Sequence, residues 1–450
     1  MKIAYFSPFN PLKSGVSDYS EELIPELSKY MDIDLYTTDF KISSDYIARN
    51  YAVYPISSFN EKSYKKYDEV VYHIGNNTKF HNDIYLTALK FPGISVIHDY
   101  SIHHLIANLT VARGDWEGYI REMHYNYGKE GERLARLSSE GKTKVLWETD
   151  QTLKYPANKR LIEASKGVIV HSKMAEGGII DVKENAFVQY APLFTSDIEI
   201  IDEERIKLLR NKYNISEDCL VFSSFGFISR AKRIHSILVS LKKVIENQPD
   251  INITYLIVGQ EEDGVDEIQK LIKSLNLEKH CKVTGYVTLE EFKDYIMLSD
   301  VCFNLRYPTQ GESSASLLRI LGYGKPAIVS KVGSFSEFPD DFTIKIRFSN
   351  QDEEQEDIIE VIKWFVTHKD SAKEMGKKAV KYIKENHSIE KTAQAYLMAI
   401  ESLKNQTAFC GNSRFYLDYI ERFTLNSKDI IEYSEVFQRK FALLTSEFFR

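Results

Sequence analysis

The sequence predicts an α/β protein made of two units, each a parallel sheet flanked by helices. Three observations lead there. Short apolar runs rich in Val, Ile and Phe recur along the chain and alternate with stretches at helical spacing, the pattern of strand–helix–strand crossovers. A polar segment near Thr195–Asp218 separates one such series from another. And 450 residues exceed what one ordinary core holds.

The first unit opens with the strand KIAYFS, a loop from Pro8 to Gly15, and a helix near Ser17–Tyr30. IDLYT (Ile33–Thr37), EVVYHIG (Glu69–Gly75), ISVIHD (Ile94–Asp99) and KGVIVHS (Lys166–Ser172) read as its further strands. Between Ile102 and Arg160 lies a long helical stretch, an insertion relative to a minimal crossover, and insertions at a ligand edge often carry specificity. In the second unit CLVFSSFGFI is a strand and loop, Lys232–Asn247 a helix, ITYLIVG a strand and Asp263–Leu275 a helix. CKVTGYV, VCFNLRYP and PAIVSKVG are strands, with LEEFKDYIMLSD a helix among them. Three helices close the series: Asp352–His368, Ser371–Asn386 and Ser388–Lys404. These elements divide the chain into a first domain over 1–195, a second over 196–400 and a helical tail over 401–450, rich in aromatics and expected to pack back on the first domain.

Composition narrows the classes. The 58 basic and 65 acidic residues leave a net charge of −7, and no basic block occurs, which excludes a general nucleic-acid binder. The four cysteines (Cys219, Cys281, Cys302, Cys410) lie far apart with no CxxC, so they read as buried thiols and not as a zinc site or a disulfide framework. MKIAYFSPF reads as a first strand and not a signal peptide, and no run approaches the ~18 apolar residues of a membrane span. The default address is the cytoplasm.

RYPTQGESSASLLRILGYGKP (Arg306–Pro326) carries the most chemistry. It follows the apolar run VCFNL, breaks at Pro308 and Gly311, presents Glu312, and offers Ser313 and Ser314 as caps for a short helix closed by Gly324. A strand, a turn and a helix start place unpaired N–H groups and a positive dipole end over the carboxyl edge of a sheet, which suits a phosphate. A carboxylate beside it suits sugar hydroxyls. Together they point to an enzyme of nucleotide sugars.

Four motifs in this order then carry a resemblance: the first strand with its Pro-containing loop ending in SGVSDY, a strand ending in His98-Asp99, FGFISRAKRI opening the second unit, and GESSASLLRILGYGKPAIVS. GSFSE (Gly333–Glu337) is a weaker fifth. Over roughly residues 1–400 the chain resembles a retaining glycosyltransferase of family 4, whose GT-B fold is two facing Rossmann-like domains. The donor substrate on this reading is a nucleoside diphosphate sugar, with no cofactor, and no Cys/His cluster has metal spacing, so the reaction reads as metal-independent. The resemblance implies front-face attack, in which the departing phosphate takes the acceptor's proton. Closure of the two domains predicts a hinge near Pro192–Asp218 and a C-terminal helix crossing back to the first domain.

The chain departs from the family at two positions. Counting back from Gly324, Arg319 stands where a second glutamate usually holds the ribose, and Phe227 stands where an arginine often follows the glycine of the second-domain loop. Arg230, three residues on, could reach in instead.

The candidate catalytic residues are Glu312, His98 and Lys232. The candidate donor-binding residues are Gly15, Lys232, Arg230, Ser313, Ser314, Ala315 and Arg319. Gly15 lets the backbone approach the diphosphate, or simply permits a turn. Lys232 neutralises the leaving group, or is a solvated helix-start lysine. His98, at a strand's carboxyl end, faces the ligand crevice, or is a satisfied strand-end histidine. Glu312 holds the sugar, or only favours the helix N-terminus. Asp32 and Asp34 form a DxD, but they flank an interior strand far from any glycine-rich turn and read as solvated strand-end groups. Arg306, Glu337, His103 and His104 are lesser candidates.

The acceptor expected from this reading is a glycan, a lipid-linked sugar or a protein. The insertion is the expected place of acceptor choice and of peripheral membrane contact, and the tail of domain closure or a homodimer contact. The rival functions are a non-catalytic partner subunit with eroded motifs and a GT-B sugar-nucleotide epimerase.

Overall fold

A computed structural model describes residues 1–404 apart from 13, 39, 197, 199–202 and 262–266. The expected tail beyond residue 404, with Cys410, lies outside the described residues.

Buried, β-branched runs become strands. The first sheet takes β1 (Lys2–Phe6), β2 (Asp32–Thr37), β3 (Ala52–Pro55), β4 (Glu69–Ile74), β5 (Ile94–Ile97), β6 (Gly167–Val170) and β7 (Val188–Tyr190). Their order is β3-β2-β1-β4-β5-β6-β7, and every pairing is parallel. The second takes β8 (Leu220–Phe225), β9 (Ile253–Val258), β10 (Cys281–Val283), β11 (Val301–Asn304), β12 (Ala327–Ser330) and β13 (Thr343–Ile346). It runs β10-β9-β8-β11-β12-β13, again all parallel. β4 and β8 are buried along their whole length, as central strands covered on both faces must be.

In each sheet the strand order reverses beside the first strand, between β1 and β4 and between β8 and β11. Loops leaving those carboxyl ends diverge and open a crevice. Gly15, Arg230, Lys232, Glu312, Ser313 and Ser314 follow these strands, while His98 follows β5 and Arg319 lies inside the helix Ala315–Gly322.

Some elements differ from expectation. The stretch read as one helix over Lys232–Asn247 is a 3-10 turn, Arg230–Lys232, and a helix, Ile234–Asn247, joined at Arg233 with φ +58°. Glu354 holds that kink, taking the Arg233 guanidinium at 2.6–3.1 Å and the Ser236 hydroxyl at 2.6 Å. The edge strands β3, β7 and β13 are not among the predicted strands: each is three or four residues long and none is buried throughout, and β3 ends in a proline. The polar segment read as a linker holds a ten-residue helix, Glu203–Lys212, of which only Leu209 and Arg210 are buried. In the insertion the helix Trp116–Ser139 breaks at Gly128, with φ +61°.

The last helix among the described residues, Ile389–Lys404, packs on the first, Gly15–Leu27, and against β6 and β7. Its Thr392 hydroxyl donates to Pro192 O at 2.6 Å, and His387 Nδ1 lies 2.7 Å from Leu193 O. The strap between the sheets is thereby tied to the returning chain. Deeper in, the hydroxyls of Tyr19 and Tyr396 meet at 3.0 Å, both buried. Among the described residues no helix is long and apolar enough to cross a membrane.

Tyr396→Phe deletes that hydroxyl pair and strands the Tyr19 oxygen in the core, an expected cost of about 1–3 kcal/mol in urea unfolding. Unchanged stability would mean the last helix is not seated on the first.

Candidate functional site

The first-half wall begins at the loop after β1. Ser14 caps the helix Gly15–Leu27, its hydroxyl accepting from Val16 N at 3.2 Å. Gly15 is not in the left-handed region, and a Cβ there would meet nothing within 4 Å. What the missing side chain provides is room at a helix start, not a turn.

At the carboxyl end of β5 stand His98 and Asp99. His98 Nε2 lies 2.9 Å from His73 Nδ1, and its ring centroid is 4.9 Å from that of His171 and 5.1 Å from that of Tyr19. Burial, then the neighbouring histidines, pushes the His98 and His73 rings well below the usual imidazole range. Burial brings His171 down to about 4. This cluster is therefore neutral at physiological pH, and His98 offers a hydrogen-bonding ring, not a cation. Asp99 behaves oppositely. Its Oδ2 accepts from Asn76 N at 2.7 Å, yet burial first and the facing Glu312 second raise its carboxyl to about 7. Most of its own surface is covered.

The second-half wall starts at Gly226, where φ is +86° and a Cβ would lie 2.7 Å from Lys232 Nζ. The left-handed φ favours glycine there, and the flexible end of Lys232 folds back over it to donate to Phe225 O. Arg230 points away: its side chain is 94% exposed and 4.0 Å from Glu267.

After β11, Arg306 N donates to Ser330 Oγ at 2.9 Å and Tyr307 N to Ala231 O at 2.8 Å, joining this strand end to the Lys232 turn. Glu312 is held by its own loop. Its Oε2 accepts from Thr309 Oγ1 and Gln310 N, each at 2.7 Å, while Oε1 lies 2.9 Å from Arg306 Nε. Ser314 caps the helix Ala315–Gly322, accepting from Leu317 N at 3.2 Å. The amides of Ala315 and Ser316 precede the first helical bond and face out of the helix end, where an anion is favoured. Arg319 reaches across to Glu22 on the first helix, 3.6 Å away, the place where the resemblance expected a ribose contact.

The two walls are in contact. Ser101 N donates to Gln310 O at 2.8 Å, Thr152 Oγ1 to Thr309 O at 2.9 Å, Tyr307 OH to Asp150 Oδ2 at 3.0 Å, and Ser313 Oγ to His171 O at 3.2 Å. Glu337 caps the opposing helix Lys173–Val182, accepting from the amides of Lys173 and Met174 at 2.9 and 2.7 Å. Gly311, at φ +75°, sits so close that a Cβ would fall 2.6 Å from Tyr100 Cβ. The crevice is closed.

The structure thus places Gly15, Lys232, Glu312, Ser313, Ser314 and Ala315 at the loops and helix starts that follow the switch-point strands, puts His98 after the neighbouring β5, and leaves Arg230 on the surface. Asp34 is tied to Lys2 at 2.8 Å and Tyr67 at 2.8 Å on the opposite sheet edge. His103 is fully buried between Tyr155 O and Tyr119 OH, at 2.7 and 2.8 Å, and holds the insertion together. Sequence reasoning did not single out Asp99, Asn76 or Gln310. Asp99 had a signal, the second residue of the His-Asp pair; Asn76 and Gln310 had none.

Residues 205–382 match the model of the family described as glycosyl transferases group 1. No curated protein matches the chain. Among solved structures it is similar to the Anabaena protein HepE in complex with UDP-glucose, with a TM-score of 0.62, 14% identity, and 89% of this chain and 100% of that one covered. It is similar to sucrose-phosphate synthase from Thermosynechococcus elongatus, with a TM-score of 0.61, 14% identity, and 90% and 99% covered. WaaG, a glycosyltransferase involved in lipopolysaccharide biosynthesis, matches with a TM-score of 0.56 and 12% identity over 90% of this chain and 100% of that one. The architecture is GT-B, two parallel-sheet Rossmann-like domains facing a cleft.

Asp99 makes stability depend on pH. With an ordinary value of 3.8 and a folded value of about 7, the folded chain holds a proton that the unfolded chain lacks between those limits. Stability therefore falls as pH rises through that window. Asp99→Asn is expected to flatten the fall in melting temperature between about pH 5 and 7; an identical slope in both proteins would contradict the assignment.

Proposed function

We propose that this chain is a retaining glycosyltransferase that moves a sugar from a nucleoside diphosphate sugar to an acceptor hydroxyl, without a metal ion, in the cytoplasm. One observation carries the reading. Lys232 and the Ser314-capped helix end follow the carboxyl ends of β8 and β11, and across the closed crevice the neutral His98 stands next to Asp99, the carboxyl that Glu312 faces. A phosphate fits the first pair and sugar hydroxyls the second.

The chemistry follows from the leaving group. As the glycosidic bond stretches, negative charge gathers on the diphosphate. The amides of Ala315 and Ser316, Lys232, and the approach left open by Gly15 are set to stabilise it before the reaction begins. His98, Glu312 and Asp99 orient the sugar and the incoming hydroxyl, and closure excludes the water that would hydrolyse the donor. In front-face attack the departing phosphate oxygen takes the acceptor's proton, so no enzymic nucleophile is required. The bound UDP-glucose of the Anabaena protein makes that compound the first donor to test. A glycan, lipid-linked sugar or protein acceptor would enter from the first half.

A second reading is favoured by two residues. Phe227 is 53% exposed where the family often has arginine, and Arg319, where the family has a glutamate, is paired with Glu22. A non-catalytic partner that only binds the nucleotide would show both. Turnover of a nucleotide sugar by the isolated chain separates the two readings, and product formed without any acceptor would indicate an epimerase.

In a thermal-shift screen of UDP, GDP, ADP and their glucose conjugates, one base is expected to raise the melting temperature, with about 2.7 kcal/mol of stabilisation at a hundredfold excess over its Kd. A flat response across all of them removes the proposal. Lys232→Ala is expected to lower kcat by ~10²–10³-fold, the usual loss for one preorganised donor at a developing charge. Turnover at the native rate would take Lys232 out of the site.

A further inference from the structure

We infer that Arg306 is the second cation of the leaving-group site, gripping the donor's diphosphate opposite Lys232 and filling the role that no arginine at position 227 can fill here. The inference rests on the glycosyltransferase reading and names the residue that completes its phosphate subsite.

The need is electrostatic. A departing nucleoside diphosphate carries more than one negative charge, and a single lysine compensates only part of it. Guanidinium suits such an oxyanion because its planar fork offers two parallel N–H bonds. The arginines nearby are committed elsewhere. Arg230 is 94% exposed and faces Glu267. Arg233 is held by Glu354 at 2.6–3.1 Å with its guanidinium over the Phe348 ring. Arg319 crosses to Glu22, and Arg347 is held by Asp357 at 2.7 Å.

Arg306 is placed differently. It lies two residues past β11, at the switch point of the second sheet. Its own amide is fixed to Ser330 Oγ, and the next amide, on Ala231 O, ties it to the turn that carries Lys232. Its side chain is 18% exposed, so most of it is withdrawn from bulk water. Its Nε is buried and makes no hydrogen bond, although Glu312 Oε1 is 2.9 Å away, because the N–H does not point at that oxygen. Glu312 cannot swing to improve the contact, since Thr309 and Gln310 fix its other oxygen. Asp99, the carboxyl within reach of Arg306's field across the crevice, is pushed up to about 7 and is largely neutral below that pH. A guanidinium whose buried Nε has no hydrogen-bond partner, on the loop that leads to the Ser314-capped helix end, is set to receive an anion.

The competing role is structural: Arg306 would only orient Glu312 toward the sugar. Uridine diphosphate distinguishes the two because it has the phosphates and no transferred sugar. Its affinity is measured by calorimetry for the native chain, Arg306→Ala, Arg306→Lys and Glu312→Gln, alongside UDP-glucose, with far-ultraviolet spectra confirming that each variant is folded. Arg306→Ala is expected to weaken uridine diphosphate about 10- to 100-fold, the loss typical of a hydrogen-bonded charge. Arg306→Lys should recover part of that loss, and Glu312→Gln should leave uridine diphosphate as tight or tighter while weakening UDP-glucose. If Arg306→Ala binds uridine diphosphate like the native chain and loses only UDP-glucose, Arg306 is a positioning residue and the inference is overturned. If the native chain binds a nucleoside diphosphate and Arg306→Ala binds both compounds normally, the inference fails alone. If the native chain binds none, the glycosyltransferase reading fails and this inference with it.

Discussion

The loop from Tyr307 to Ser314 is seated on the first half of the molecule through its own main-chain carbonyls, and the candidate site depends on that seating. Ser101 N donates to Gln310 O and the Thr152 hydroxyl to Thr309 O, which fixes the loop backbone at two adjacent residues. Gly311 makes the approach sterically possible, since a methyl group there would overlap Tyr100. Once the loop is down, Glu312 faces Asp99, Ser313 reaches the strand end of β6, and the capped helix start is aimed into the crevice. The insertion takes part through Asp150 and Thr152, so part of its work is to hold the second half's loop in place.

Closure has electrostatic consequences that divide the labour in the crevice. The His73, His98 and His171 rings are driven neutral by burial. The first half thus brings neutral hydrogen-bonding groups and one easily protonated carboxyl. The second half brings the cations and the helix end. A sugar with a diphosphate tail has the same division, a neutral ring with hydroxyls and an anionic handle. Binding it in this orientation leaves each part against the wall whose charge suits it. The closed crevice also sets Asp99 against Glu312, a repulsion relieved by a proton on Asp99 or by the Arg306 field.

Much of the architecture was legible because buried parallel strands announce themselves. EVVYHI and LVFSSF could hardly be anything else, and the alternation with helices named the fold class. The short edge strand β3 was not legible, because an edge strand that is largely exposed lacks the signal that burial writes into a sequence. The helix start at Ala315 was readable from its serine cap, and Gly226 and Lys232 from their spacing. The break at Arg233 was hidden because its cause, Glu354, lies more than a hundred residues away. The same limit applies to the site. Gly15, His98, Glu312 and Lys232 stand on local motifs. The fate of Arg319 and the significance of Asp99 and Arg306 are set by groups from the other half or another loop, which no window along the chain contains.

The most direct measurement is a crystal structure of the chain grown with uridine diphosphate. The account predicts the two phosphates against the amides of Ala315 and Ser316, within hydrogen-bond reach of Lys232 Nζ and the Arg306 guanidinium, with the Tyr307–Ser314 loop seated as described. A nucleotide bound elsewhere, or phosphates lying away from the Ala315 helix end in a closed crevice, would contradict it.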